Sequence, residues 1–295
     1  VHFAVSGVEV SPLLPPLVAF AISLVTTTGG LSGAFLLLPF QMSVLGFTTP
    51  AVSATNHLYN VVAIPSGVWR FAREGRLVWP LVWTVVAGTL PGVLIGAVVR
   101  VRLLPDPRHF KVFVGAVLLY IGARVVRDLL RGAPAGGEGG ATRWAPVRIV
   151  RTSLGKTVYE FRGREYSFRT VPLFSLAFVV GVIGGTYGIG GGAIIAPFLV
   201  TFFGLPVYTV AGASLLGTFV TSLTGVVFFQ VMAPWYPAQA VAPDWLLGVL
   251  FGLGGMAGTY CGARLQKRVP ERAIKWMLAA VLVTLGLRYV LQVFG

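Results

Sequence analysis

The chain has 295 residues, of which 56% are hydrophobic and only 11% charged, with a mean hydropathy of +0.83. A soluble chain carries roughly 25% charged residues, so a soluble enzyme, a disordered tail and a nucleic-acid-binding domain are excluded. The net charge of +14 sits between apolar runs, where membrane proteins place flanking basic residues against anionic lipid headgroups, so the bilayer is the expected partner and nucleic acid is not.

A membrane helix needs about 20 apolar residues. In chain order, the first apolar run, 16–46, is too long for one. At about 1.5 Å per residue a straight helix of that length overshoots a hydrocarbon core of about 30 Å. Its middle is Thr26-Thr27-Thr28-Gly29-Gly30-Leu31-Ser32-Gly33, which reads as a broken or re-entrant helix. The N-terminus lacks the basic region of a signal peptide, so this run is expected to be kept. Runs 50–72, 78–100 and 108–130 each fit one span. Residues 132–170 form a basic soluble linker, with Arg143, Arg148, Arg151, Lys156, Arg162, Arg164 and Arg169 against Glu138, Glu160 and Glu165. Polar and apolar residues alternate on both sides of Arg162-Gly163-Arg164, the pattern of a short β-hairpin. Run 171–204 repeats the first problem: it is too long and is interrupted at Gly184-Gly185-Thr186-Tyr187-Gly188-Ile189-Gly190-Gly191-Gly192. Runs 206–232, 244–264 and 272–293 are again single spans. Cys261 alone excludes an internal disulfide and a cysteine-based metal cluster, and its small neighbours suggest a packing role.

The two halves repeat. Thr28, Gly30, Gly33, Pro39, Phe40 and Gly46 match Thr186, Gly188, Gly191, Pro197, Phe198 and Gly204 at one constant offset. At the same offset Asn56, Asn60, Ala63 and Gly67 fall opposite Ser214, Thr218, Thr221 and Gly225, on one helix face. Gly88, Gly92 and Gly96 match Gly254, Gly258 and Gly262, and Lys111, Gly122 and Arg124 match Lys275, Gly286 and Arg288. Duplicated halves with discontinuous helices in corresponding places are a transporter pattern. The expected fold is therefore an all-α polytopic membrane protein. Residues 1–131 form a first membrane repeat and 171–295 a second, each with a broken or re-entrant helix plus three spanning helices, and a β-hairpin insert lies between them. The positive-inside rule favours inverted halves. The insert, Arg70/Arg73/Arg76 and Arg264/Lys267/Arg268 then share the cytoplasmic side, and Arg100, Arg102, Arg108 and Lys111 face out; parallel halves, with broken segments that cross fully, would put that last cluster inside and the basic insert outside.

None of the nine acids falls mid-span. Cation and proton-relay carriers keep intramembrane carboxylates, so the substrate should be neutral or anionic. After each break a half-helix begins, near Gly33 and near Gly191. Its first N–H groups lack intrahelical partners, and the helix dipole adds roughly half a positive charge there. Glycine lets a ligand approach the backbone. Two convergent N-termini would make an anion site without a basic side chain. The candidate substrate-binding residues are Thr28, Gly30, Ser32, Gly33, Asn56, Asn60, Thr186, Tyr187, Gly188, Gly190, Gly191, Gly192, Ser214 and Thr218. Three consecutive glycines exceed what helix packing alone would ask for. The stripes Gly88/Gly92/Gly96 and Gly254/Gly258/Gly262 read instead as close helix contacts, and such a stripe could also serve a homodimer. His57 is the mid-span imidazole and the candidate for proton coupling, against the plainer reading of a satisfied core histidine. Arg70, Arg124 and Arg288 lie near span ends and are expected to snorkel. No catalytic set, metal site, cofactor motif or nucleotide-binding motif is visible.

The duplicated Gly-rich element followed by apolar-Pro-Phe, with Gly30-Leu31-Ser32-Gly33 before Leu38-Pro39-Phe40 and Gly188-Ile189-Gly190-Gly191-Gly192 before Ala196-Pro197-Phe198, resembles the sulfite exporter TauE/SafE family, also called toluene sulfonate uptake permeases. The resemblance covers nearly the whole chain outside the N-terminal tail and part of the insert. It implies a bacterial inner-membrane carrier of sulfite, sulfonates or related small sulfur anions. The two breaks differ, with Ser32 and Ala34 in one where the other has Gly190 and Gly192. Two other classes compete. Gly30-Leu31-Ser32-Gly33 with His57 as base fits an intramembrane serine protease, but the second repeat has Gly190 and Leu215 in those places. A passive anion channel would share every feature above.

Overall fold

The computed structural model describes residues 1–28, 32–73, 75, 77–130, 147–153, 155–265 and 271–291. The fold is mostly helical. Helices α1 (Leu14–Thr28), α2 (Ala34–Ser43), α3 (Ala51–Ala63), α4 (Pro65–Arg73), α5 (Trp79–Arg102) and α6 (Pro107–Leu130) precede a small sheet. Helices α7 (Thr170–Tyr187), α8 (Gly191–Thr201), α9 (Val207–Met232), α10 (Trp245–Leu265) and α11 (Glu271–Leu291) follow it. Five of them, α5, α6, α7, α9 and α10, are long and apolar enough to cross a membrane.

The expected spans match these helices closely, with one difference. The run 50–72 is two helices, because Pro65 has no N–H to continue α3 and α4 starts on it. The expected hairpin is present as β4 (Lys156–Phe161) and β5 (Arg164–Arg169), with Arg162 and Gly163 at positive φ in the turn. A third strand, β3 (Arg148–Thr152), pairs antiparallel with β4. A two-residue-per-strand hairpin, β1 (His2–Phe3) with β2 (Val8–Glu9), precedes α1. The larger sheet lies on the helices: Tyr159, Phe161 and Phe168 are buried, and the Tyr159 hydroxyl is 2.9 Å from Thr209 Oγ1 at the start of α9. Burial pushes the Tyr159 phenol up to about 12.

Glycines set how the helices pair. Gly88, Gly92 and Gly96 of α5 lie in order against Phe174, Phe178 and Val182 of α7, so the two run parallel. Gly254, Gly258 and Gly262 of α10 lie likewise against Pro16, Phe20 and Leu24 of α1. At each contact the partner backbone occupies the place of a Cβ, the close approach that small residues allow between membrane helices. Each half's first helix is thus held by the other half, and both stripes make contacts within the chain.

The remaining directions follow from contacts. Leu58 and Val62 of α3 meet Gly248 and Gly252 of α10, so α3 and α10 are parallel. His57 meets Gly225 while Asn60, three residues on, bonds Ser222, so α3 and α9 are antiparallel. Gly115 meets Tyr289 while Gly122 meets Val283, so α6 and α11 are antiparallel too. Since α1 and α3 both run with α10, the chain between them turns back, and α2 is the returning arm.

One end of the bundle carries the N-terminal hairpin and the starts of α3 and α10. There Ser6 donates through N and Oγ to Asp244 Oδ2, at 3.0 and 2.9 Å, and Ala51 N–H donates to Ala240 O at 2.9 Å. The other end carries the sheet, with Val147 N–H donating to Gly75 O at 3.1 Å. The C-termini of α4 and α10, with Arg70, Arg73 and Arg264, lie at this sheet end.

Arg100, the last residue of an expected span, is fully buried, donates to the carbonyls of Leu104 and Thr48, and stacks on Phe110 with Cζ 3.7 Å from the ring centre. Two sequence expectations need correction. Arg124 does not snorkel free of the protein; its guanidinium lies over Phe198 and Phe202. Cys261 is exposed on α10 instead of packed.

Filling a glycine of the α5–α7 seam should be costly. Gly92→Val is expected to destabilise the protein by about 1–3 kcal/mol, the usual range for overpacking. Gly155→Ala, at a position with nothing within 4 Å, should leave the unfolding midpoint unchanged; equal midpoints for both variants would refute the seam.

Candidate functional site

The second break is built from glycine conformation. Gly188 at φ +91° ends α7, and Gly190 at φ +74° starts α8. Both values lie in the left-handed region that glycine enters without strain. The N–H groups of Gly188, Ile189 and Gly190 all point at the carbonyl of Gly184, at 2.8, 3.0 and 3.3 Å. That leaves the carbonyls of Thr186, Gly188 and Ile189 without helical partners, inside a region where no water offers an alternative.

Helix α3 supplies the partners. Asn56 Nδ2 donates to Gly188 O and to Ala34 O, each at 3.1 Å. Asn60 Nδ2 donates to Ile189 O at 3.1 Å and to Ser222 Oγ at 3.2 Å. Ser53 Oγ donates to Thr186 O at 3.1 Å. The acceptor sides of both amides face the first break: Ser32 Oγ donates to Asn60 Oδ1 at 3.0 Å, and Gln41 Nε2 to Asn56 Oδ1 at 3.4 Å. Ser32 Oγ also accepts the Ala34 N–H at 3.3 Å, capping the start of α2. Tyr187 donates its hydroxyl to Phe35 O at 2.9 Å, a further bridge from the second break to α2. The two breaks are therefore neighbours, joined through one face of α3, and every group named is buried.

Of the expected residues, Ser32, Asn56, Asn60, Thr186, Tyr187, Gly188, Gly190, Gly191, Gly192 and Thr218 come together here. Gly33 is beside them, its Cβ position filled by Tyr59 and Ser23. Gly30 and the side chain of Thr28 lie outside the described residues. Each glycine of the triple run also has a close neighbour. A Cβ on Gly190 would press on Ser222 and Thr218, one on Gly191 on Thr89, and one on Gly192 on the Ser214 carbonyl. Thr186 and Thr218 spend their hydroxyls on carbonyls, Thr186 on Gly96 and Val182, Thr218 on Ser214. The Ser214 hydroxyl is buried and has no partner among the described residues.

His57 is wholly buried, with Nδ1 3.2 Å from Ser222 Oγ and the ring against Gly225 and Phe229. Its Nε2 has no partner among the described residues. Ser32 is bonded to Asn60 and His57 to Ser222, so the serine–histidine pair of a protease is not formed. Three contributors went unnoticed in the sequence: Gln41, Ser53 and Ser222. Ser222 lies one helical turn beyond Thr218, a signal that was available. Gln41 is the amide within an otherwise apolar stretch of α2.

The fold and the site define a polytopic helical membrane transporter built around two adjoining broken helices. The chain belongs to the sulfite exporter TauE/SafE family, whose model matches residues 16–289. It is a member of a transporter family, not an enzyme. It is 25% identical to the "Probable membrane transporter protein YunE" of Bacillus subtilis (strain 168), over 70% of this chain and 67% of that protein. It is also 25% identical to a "Probable membrane transporter protein" of Xylella fastidiosa (strain Temecula1 / ATCC 700964), over 86% of this chain and 82% of the relative. No solved structure matches the chain.

The ties through α3 should dominate stability at the site. Asn56→Ala strands two carbonyls and the Gln41 amide and is expected to cost about 1–3 kcal/mol per buried group left unpaired. Ser214→Ala removes a hydroxyl that bonds nothing described and should be near neutral. Thermal unfolding in detergent compares them; a larger loss for Ser214→Ala would overturn the assignment.

Proposed function

We propose that the protein carries small sulfur-containing anions, such as sulfite and sulfonates, across the cell inner membrane by alternating access between two inverted halves. The observation that carries this reading is the meeting of the two breaks at Asn56 and Asn60. The family membership supports the substrate class. The antiparallel pairs α3/α9 and α6/α11, each made of corresponding helices, support inversion. The sheet end carries Arg70, Arg73 and Arg264, so it faces the cytoplasm by the positive-inside rule.

The anion is held at the N-terminus of α8, by the N–H groups of Gly191 and Gly192 and the positive end of the helix dipole. Ser32, Asn60, Ser214 and Thr218 complete its shell, with Gly33, Thr28 and Gly30 at the first break. Asn56 and Asn60 are bonded to carbonyls of the second half. An oxyanion competes for those amide hydrogens, so binding loosens the tie between the halves and permits them to move. His57, bonded to Ser222 beside Asn60, is the residue placed to couple a proton.

Flux of labelled sulfite into proteoliposomes tests the reading, with sulfate, thiosulfate and small sulfonates as competitors. Saturable flux with counterflow is expected, which a passive channel does not give. Asn60→Asp sets a negative charge in the site and should lower flux on the order of a hundredfold, as like charges brought together cost several kcal/mol. Ser32→Ala, which would abolish a serine protease, should reduce transport but leave much of it. Absence of saturable flux for every sulfur anion, in protein shown to be folded, would sink the substrate class.

Orientation has its own test. In a Cys261→Ser background, Gly155→Cys should be labelled from the cytoplasmic side and Ala238→Cys from the opposite one. Labelling of both from one side would rule out the inverted arrangement.

A further inference from the structure

At the sheet end, the C-terminal turns of α4 and α10 enclose a cleft of about 310 Å³ lined by Trp69, Arg70, Arg73, Tyr260 and Arg264. The two helices are in contact below it, where Gly67 meets Thr259 and Ser66 Oγ reaches Met256 O. Arg73 lies over the Trp69 ring, with Cζ 4.7 Å from its centre, and Arg264 over Tyr260 at 5.4 Å. The aromatic faces are not covered by protein: Trp69 is 58% and Tyr260 41% exposed.

We propose that this cleft is a binding site for an anionic phospholipid, with the headgroup phosphate between the guanidiniums of Arg70, Arg73 and Arg264 and the glycerol and upper acyl chain along Trp69 and Tyr260. Three features favour this occupant. The first is charge: three guanidiniums line the cleft and, among the described residues, no acid does. Arginine's planar fork matches a phosphate, and basic pockets between membrane helices are headgroup sites. The second is depth. The cleft is level with the start of α5, where the exposed Trp79 and Trp83 stack on each other. Exposed tryptophan and tyrosine mark the headgroup region of a bilayer. The third is asymmetry. At the offset that pairs Asn56 with Ser214, Arg70 and Arg73 correspond to Phe228 and Val231, and at the offset that pairs Gly262 with Gly96, Arg264 corresponds to Val98. The cleft is therefore not part of the duplicated machinery around the breaks, as an entry funnel repeated for the transported anion would be. A lipid seated there rests on α4, the continuation of α3 beyond Pro65, and so on the span that carries Asn56 and Asn60.

The test uses the full chain, delipidated in detergent and examined by native mass spectrometry with phosphatidylglycerol or phosphatidylcholine added. The protein is expected to retain phosphatidylglycerol and not phosphatidylcholine. Arg70→Gln/Arg73→Gln/Arg264→Gln, with helicity checked by circular dichroism, should weaken retention on the order of a hundredfold, given the usual contribution of each basic residue near a membrane surface. Trp69→Ala, which leaves the charges in place, should weaken it less. Equal retention of both lipids, or undiminished retention in the triple variant, overturns the proposal. Displacement of phosphatidylglycerol by millimolar sulfate at constant ionic strength also overturns it, since the cleft would then take a free oxyanion.

Discussion

A stretch of unwound backbone inside a bilayer exposes carbonyls that nothing in the hydrocarbon can satisfy, at a cost of several kcal/mol each. The fold depends on how that constraint is met at the second break. The left-handed turn at Gly188 and Gly190 strips carbonyls of their helical partners, and Ser53, Asn56 and Asn60 restore a hydrogen bond to Thr186, Gly188 and Ile189. An amide is suited to the task, because its two donors and its acceptor can be committed in different directions. Asn56 donates to Gly188 O and to Ala34 O at the start of α2 and accepts from Gln41, while Asn60 donates to Ile189 O and to Ser222 and accepts from Ser32. A hydroxyl, with its single donor, could not make both donations of either amide. The breaks are thus joined by the same groups that make each of them tolerable in the membrane.

The glycine seams make this geometry reachable. Parallel contact along α5–α7 and α1–α10 brings backbones close enough that a single methyl group would clash. Each broken helix is clamped by the opposite half, so neither break can be rearranged without disturbing a seam from the other half. The α3–α9 and α6–α11 pairs join corresponding helices and run antiparallel. The architecture is a set of exchanged arms around α3 and α9, and the polar face of α3 fills the place where the arms meet.

Much of this was legible in the sequence because membrane-spanning runs are coarse, strongly patterned signals. The spans, the two interrupted helices and the β4–β5 hairpin all follow from apolar length, glycine clusters and alternation. Asn56 and Asn60 stood out as amides on one face of an apolar helix. What stayed hidden depends on tertiary neighbours. Strand β3 is exposed along its length and has no alternating pattern, so only its pairing with β4 reveals it. The burial of Arg100 depends on the Thr48 carbonyl and the Phe110 ring, both supplied by other elements. Asp244, buried at the start of α10, has a local signature: Asp ahead of an apolar helix is a capping residue, and its carboxylate accepts the Leu247 N–H. Its second partner, Ser6, comes from the far end of the chain. Sequence also cannot show that each glycine of the run at 190–192 faces a different neighbour.

The asparagines belong to α3 alone; α9 carries Ser214 and Thr218 at the corresponding positions, and Thr218 turns its hydroxyl back on its own helix. Two identical halves could trade roles and regenerate the same structure at the same energy. With the amides on one half only, that exchange gives a molecule whose first break has lost its cross-link. In the alternating access proposed above, the two resting arrangements are therefore inequivalent, and the balance between them is set by a handful of hydrogen bonds on a single helix.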